Sequence, residues 1–164
     1  MIVYHLLEVP VSVKINHMAY SHRCAVDIIL LNSKKEVLLS RRNSTVGKNK
    51  WSFIGGRVEK DETFLQAVQR EVREELGEKA NVEITDKVCA VRDNSIPPYY
   101  RPHLTIILLA KYIDGQIENA EPESNIELKW FPLDDLPTNL FSGVEKIIQN
   151  YNNKQVVLVT DYQK

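Results

Sequence analysis

Cysteine is scarce in this chain, and long apolar runs are missing altogether. Cys24 and Cys89 stand far apart, outside any CxxC pair and without the Cys/His spacing that holds zinc. No disulfide scaffold or zinc centre is therefore expected, and both thiols read as small buried hydrophobes. No stretch approaches the ~18 consecutive apolar residues of a membrane span. Residues 1–20, MIVYHLLEVPVSVKINHMAY, lack the basic start and sustained apolar run of a signal peptide. A reducing cytosol is the expected compartment, with no membrane partner. Excess charge of one sign is missing too. The net charge is -1, which gives no broad basic field for duplex nucleic acid. A local pocket can still be basic on a neutral protein, so small phosphorylated ligands stay open. Repeats and low-complexity linkers are likewise absent.

What is present suits one domain over residues 1–164, with an apolar fraction of 43% and a charged fraction of 26%. CAVDIILL (Cys24–Leu31) is rich in branched apolar residues and reads as a buried strand. NSKK is a turn, and EVLLS (Glu36–Ser40) returns as the hairpin partner. RRNSTVGKNK (Arg41–Lys50) reads as a polar, basic loop, and WSFI as a short strand ending at Gly55-Gly56. A helix follows, roughly Glu62 to Leu76, with Leu65, Val68, Val72 and Leu76 as one apolar stripe. Asp61 or Thr63 suits its start, and Gly77 its stop. ITDKVCAV and HLTIILLAKYI are further strands, separated by the stiff SIPPYYRP loop. IELKWFPL reads as a last core strand and FSGVEKIIQNY as a C-terminal helix. VVLVT (Val156–Thr160) is either an edge strand or a pairing strand for a second subunit in a homodimer. Mixed strands with one central and one late helix predict an α/β sandwich around a mixed sheet.

The central helix carries Glu71, Glu74 and Glu75, which fall within about a 100° arc because steps of three and four return to one side. At an effective dielectric near 20, two unit charges ~4 Å apart repel by roughly 4 kcal/mol. Such crowding calls for full exposure or for a cation. Gly55-Gly56 lets the backbone turn sharply and bring a carbonyl oxygen towards the same place. Arg70, beside the cluster, can hold a carboxylate bidentately as a brace. Oxygen ligands of this kind favour magnesium or manganese over zinc.

The stretch GGRVEKDETFLQAVQREVREELGE (Gly55–Glu78) resembles the Nudix box, G-x5-E-x7-R-E-U-x-E-E-x-G-U with U a large aliphatic residue. Gly56 opens it, Glu62 follows, and REVREELGE closes it, so every polar position is matched at its spacing. Two positions depart from the pattern: Glu78 holds the last aliphatic place, and Ile54 stands where many members have proline. The likeness to Nudix hydrolases covers roughly residues 22–150, with terminal extensions 1–21 and 151–164. It implies the Nudix-type α/β/α sandwich. It also implies metal, magnesium or manganese, on Glu71, Glu74 and Glu75 with the Gly55 carbonyl, and a Glu62–Arg70 brace. One helix carboxylate, or a later glutamate, would act as base toward water. Glu118, Glu121, Glu123 and Glu127 are candidates for the latter, with a preference for Glu121 or Glu123.

The same likeness implies hydrolysis of a nucleoside diphosphate linked to a group X. Arg41 and Arg42 read either as phosphate ligands or as solvated turn residues. Tyr99 and Tyr100 would stack on a base or pack against the sheet. Lys48 and Lys50 are expected in solvent, Trp51 in the core and His103 in a structural role. EPESNIELKWFPLDDLP followed by LF is similar to nucleoside-triphosphate diphosphatases that release pyrophosphate. GGRVEKDET with VDIILLNSKKE resembles GDP-mannose mannosyl hydrolases, but the intact box favours attack at phosphorus over attack at a sugar carbon. A non-catalytic nucleotide-binding Nudix module would be expected to lose box carboxylates, and all are present here.

Overall fold

The computed structural model describes residues 23–94 and 103–160. Tyr99 and Tyr100 lie outside these residues. The chain runs β1 (Arg23–Leu31), β2 (Glu36–Arg42), β3 (Trp51–Ser52), β4 (Ile54–Arg57), α1 (Phe64–Leu76), β5 (Ala80–Asp93), β6 (His103–Gly115), β7 (Asn125–Pro132), α2 (Val144–Asn152) and β8 (Val157–Thr160). The β1–β2 turn is held by Asn32, whose Oδ1 accepts from the backbone N–H groups of Lys34 and Glu36. Arg41 and Arg42 are the last residues of β2, not the start of a loop, because their backbones pair with β7.

One mixed sheet results, ordered β3-β2-β1-β6-β5-β8, with β4 also on β1 and β7 also on β2. β1 pairs with β6 in parallel, as β5 does with β8, while the remaining pairs are antiparallel. Side chains alternate across the strands. Val26, Ile28 and Leu30 of β1 pack with Ala67, Val68, Val72 and Leu76 of α1. Ile29 of β1 and Ile107 of β6 pack on the other face with Val144, Ile147 and Ile148 of α2. The architecture is an α/β/α sandwich.

Helix α1 starts two residues later than the sequence suggests, because Thr63 caps it in a capping box with Gln66. Asp61 stays outside, in a left-handed turn conformation. Leu65 is not part of the stripe and is 44% exposed, while Ala67 takes the buried place. Trp51 and Cys89 are buried, whereas Cys24 is only half-buried. No helix among the described residues is long and apolar enough to cross a membrane.

Candidate active site

A cavity of about 670 Å³ opens where β1, β4 and the C-terminal half of α1 meet, and it reaches Phe141, ahead of α2. Glu71 and Glu75 of α1 line it, together with Gly55, Gly56 and Glu121. Glu75 is 5% exposed, deep for a carboxylate. Its Oε1 accepts from the Gly55 N–H at 3.1 Å and its Oε2 from Asn125 Nδ2 at 3.1 Å. Burial pushes the Glu75 carboxyl up to about 8, against the pull of the Gly55 hydrogen bond, and Glu71, Glu121 and Asp27 add to the rise. Glu71 is also raised, chiefly by burial, with Arg70 pulling it down. Gly56 has to be glycine for this arrangement, since a Cβ there would land on the Glu71 carboxylate.

Arg70 brings three carboxylates to one guanidinium. Its Nε donates to Glu62 Oε1 at 2.9 Å and Nη2 to Glu62 Oε2 at 3.0 Å. Nη1 donates to Glu71 Oε1 and Glu74 Oε2, both at 2.8 Å. Nη2 also holds the Arg57 carbonyl at the end of β4, tying the helix to the Gly-Gly turn. The Glu62 carboxyl is lowered, chiefly by its hydrogen bond to Arg70. Glu74 is turned to Arg70 and does not line the cavity; its side chain is 45% exposed.

The later glutamates separate by backbone geometry. Gln116, Glu118 and Ala120 donate their N–H groups to the carbonyls of Lys79, Leu76 and Glu75, so this segment runs along the end of α1. That delivers Glu121 to the cavity, where it raises both Glu71 and Glu75. Glu118 faces Lys79 at 3.7 Å and Glu127 faces Arg41 at 3.4 Å. Glu123 contributes its carbonyl to Asn43. None of these three lines the cavity. Arg42 does line it, while Arg41 is turned away, over the Trp51 ring. Arg23 and Arg57, which the sequence reading passed over, also line the cavity and add positive charge to its wall.

Asp27, Arg92, Asn94, Asn125 and Phe141 are cavity residues that sequence reasoning missed. Asp27 was open to notice, as an acid inside an apolar strand. It lies opposite Gly55 in the β1–β4 register. Arg92 Nη2 donates to its Oδ2 at 2.7 Å. Burial pushes the Asp27 carboxyl up while Arg92 pulls against it.

The donors fit a hard cation. They are oxygens, and a cation would relieve the repulsion among Glu71, Glu75 and Glu121. Among the described residues no three His, Cys, Asp or Glu side chains close into a cage. Magnesium does not need one, since it binds through one or two carboxylates, keeps waters and takes the remainder from substrate phosphates.

The chain is similar to an NAD-capped RNA hydrolase NudC of Pectobacterium carotovorum subsp. carotovorum (strain PC1), 33% identical over 67% of this chain and 39% of that protein. It is similar to an ADP-ribose pyrophosphatase of Methanocaldococcus jannaschii, 32% identical over 77% of this chain and 71% of that protein. Against NudC relatives and an RNA pyrophosphohydrolase it spans 39%, 42% and 46% of their length, less than half in each case. Among solved structures, a MutT NUDIX hydrolase from Burkholderia pseudomallei superposes with a TM-score of 0.69 at 25% identity, covering 79% of this chain and 98% of that one. A family profile described as NUDIX domain matches residues 21–151, most of the chain, and with the carboxylate-lined cavity behind Gly55-Gly56 this places the protein in the Nudix family.

Proposed function

We propose that this chain hydrolyses a nucleoside diphosphate linked to a second group, water attacking at phosphorus. The substrate we favour is a nucleoside triphosphate, cleaved to a monophosphate and pyrophosphate. One observation carries the reading: Glu71, Glu75 and Glu121 gather in a cavity that Arg23, Arg42 and Arg57 also line. Carboxylates alone would repel a polyphosphate, whereas carboxylates that hold a cation beside arginines attract one.

In this proposal Glu71 and Glu75 hold magnesium or manganese, with the Gly55 carbonyl as a further oxygen and Glu74 joining only when it leaves Arg70. Bound there, the cation would neutralise charge on the phosphates and make a water more acidic. Arg70 and Glu62 fix the pitch of α1 so that its carboxylates face the cavity. Glu121 stands close to both and accepts the proton as the water oxygen bonds to phosphorus. The bridging oxygen departs with the leaving phosphate, whose charge the arginines lining the cavity stabilise. Relatives named for NAD-capped RNA and for ADP-ribose support the wider substrate class without choosing the second group. A cytosolic location belongs to the same reading. So does a homodimer paired through β8, whose Leu158 is exposed, as is Val156 just before it.

The test is a panel of nucleoside triphosphates, nucleotide sugars and ADP-ribose, assayed with magnesium and with chelator, in oxygen-18 water. Label on a phosphate product, only with metal, is expected. Full turnover in chelator would end the metal reading. Label on the sugar of GDP-mannose alone would favour the mannosyl-hydrolase alternative, and binding without turnover the non-catalytic module.

A further inference from the structure

Strand β7 carries an irregularity beside the carboxylates, and it decides which side of the sheet Asn125 serves. Leu38 pairs with Trp130, Leu39 with Lys129, Ser40 with Leu128 and Arg41 with Glu127, all in step. The next pair is Arg42 with Asn125, so Ile126 is an extra residue and β7 bulges there. Without the bulge, alternation would set Asn125 on the side of Glu127 and Lys129. With it, Asn125 joins the side of Leu128 and Trp130, which pack with the apolar face of α1. Ser40, Arg42 and Asn125 accordingly line the same cavity.

Asn125 is 6% exposed, and its Nδ2 donates to Glu75 Oε2 at 3.1 Å. The Gly55 N–H takes the other oxygen, also at 3.1 Å. A carboxylate oxygen has two lone pairs, so each keeps one for a cation after these bonds. Held at both oxygens, the carboxylate cannot rotate without breaking one of them. Asn125 also closes the turn that carries Glu121. Its backbone N–H donates to the Glu121 carbonyl at 2.9 Å, and the Ala120 N–H donates to the Glu75 carbonyl at 3.1 Å. Asn119 Nδ2 holds the Asn125 carbonyl at 2.7 Å. The turn is thereby tied to Glu75 on both sides of Glu121, through backbone before it and through the Asn125 amide after it.

We propose that Asn125 is a positioning residue of the hydrolytic site: it locks the Glu75 carboxylate in the orientation that takes the cation and fixes its separation from Glu121. It acts through Glu75 and not on the nucleotide. Outer partners that orient ligating carboxylates are worth about 10- to 100-fold in metal affinity or activity. The inference rests on the metal-dependent hydrolase reading, and that reading stands if Asn125 proves to be only a link in the turn.

The experiment measures Mn2+ affinity of the nucleotide-free protein by electron paramagnetic resonance, in wild type, Asn125→Ala, Glu75→Gln and the double variant. The kcat and KM for the best nucleotide of the panel are measured beside it. Asn125→Ala should weaken Mn2+ binding by about 10-fold and lower kcat by a similar factor, with KM near wild type. In the Glu75→Gln background the same substitution should change neither, because the carboxylate that it aims is already gone. Equal losses in both backgrounds would make Asn125 a structural link. Unchanged Mn2+ binding in Asn125→Ala would do away with the positioning role, and a raised KM would then mark a nucleotide contact. Either result overturns the proposal and leaves the hydrolase reading intact. No Mn2+ binding by the wild type ends the metal reading and this role with it. If Mn2+ binds but no nucleotide is turned over, hydrolysis fails and the Mn2+ cycle alone decides. Should Glu75→Gln bind Mn2+ too weakly to measure, kcat closes the cycle by the same rule. Should Asn125→Ala not fold, Asn125→Ser replaces it, its hydroxyl one bond too short to reach Glu75.

Discussion

Arg70 grips both oxygens of Glu62 eight residues back in the chain, at 2.9 and 3.0 Å. The same guanidinium holds Glu71 and Glu74, so one cation sets the orientation of the acidic face of α1. In Arg70→Ala the helix keeps its cap and its apolar stripe and should remain folded. Glu71 and Glu74 lose the partner that aims them. Turnover is expected to fall by roughly 10- to 100-fold, the scale seen when a group that orients metal ligands is removed. Steady-state kinetics beside circular dichroism checks this, and wild-type turnover would show the clamp to be dispensable.

The box carboxylates differ in burial, which orders their expected effects. Glu75 is buried between Gly55 and Asn125, Glu74 is partly exposed on Arg70, and Glu78 is exposed. Glu75→Gln should lower turnover by at least ~100-fold, as loss of a preorganised electrostatic group does. Glu74→Gln weakens an i,i+4 pair and removes one oxygen from the helix face, and should be less damaging than Glu75→Gln. Glu78→Gln should stay within a few-fold of wild type, about the effect expected of a solvated surface charge. Equal losses at Glu75 and Glu78 would mean that the ligands along this helix are wrongly assigned.

The acidic face was legible because helical periodicity acts locally: spacings of three and four place Glu71, Glu74 and Glu75 together whatever surrounds them. The same periodicity misplaced Leu65, because the first turn stands outside the packed face: Phe64 and Leu65 are both exposed, and burial begins at Ala67. Glu121 could not be separated from Glu118, Glu123 and Glu127, because its position depends on backbone bonds from residues 116–120 to the end of α1. The Asp27–Arg92 pair joins residues 65 apart through a strand order that the sequence does not state. Local chemistry could be read directly, while the far wall of the cavity had to wait for the topology.

The two glycines of the turn should fail differently. A Cβ at Gly55 meets the Val26 carbonyl and the Asp27 backbone, and the φ there is +147°, rarely adopted by other residues. Gly55→Ala should therefore destabilise the fold and lower the melting temperature. At Gly56 the added atom meets only the end of the Glu71 side chain, which can swing away. Gly56→Ala should melt near the wild-type temperature yet lose turnover, because Glu71 is displaced from the cavity. Thermal melts and kinetics on the two variants separate these outcomes, and a Gly56→Ala protein with full activity would remove Glu71 from the site.

Glu75 also predicts how stability responds to pH and metal. Its carboxyl is raised in the folded state to about 8, from 4.5 as its ordinary value. Below the ordinary value both folded and unfolded chains hold the proton, and the contribution to stability is fully present. As pH rises towards 8 the unfolded chain releases the proton that the folded chain retains, so stability falls. Asp27 and Glu71, also raised, slope the same way, whereas Glu62, lowered, loses its contribution only on acidification. In chelator the melting temperature should therefore be higher at about pH 5.5 than at about pH 8, with a shallower difference in Glu75→Gln. Magnesium binds the deprotonated carboxylates, so it should raise the melting temperature more at the higher pH. A metal effect independent of pH, or one unchanged in Glu75→Gln, would place the cation away from this carboxylate.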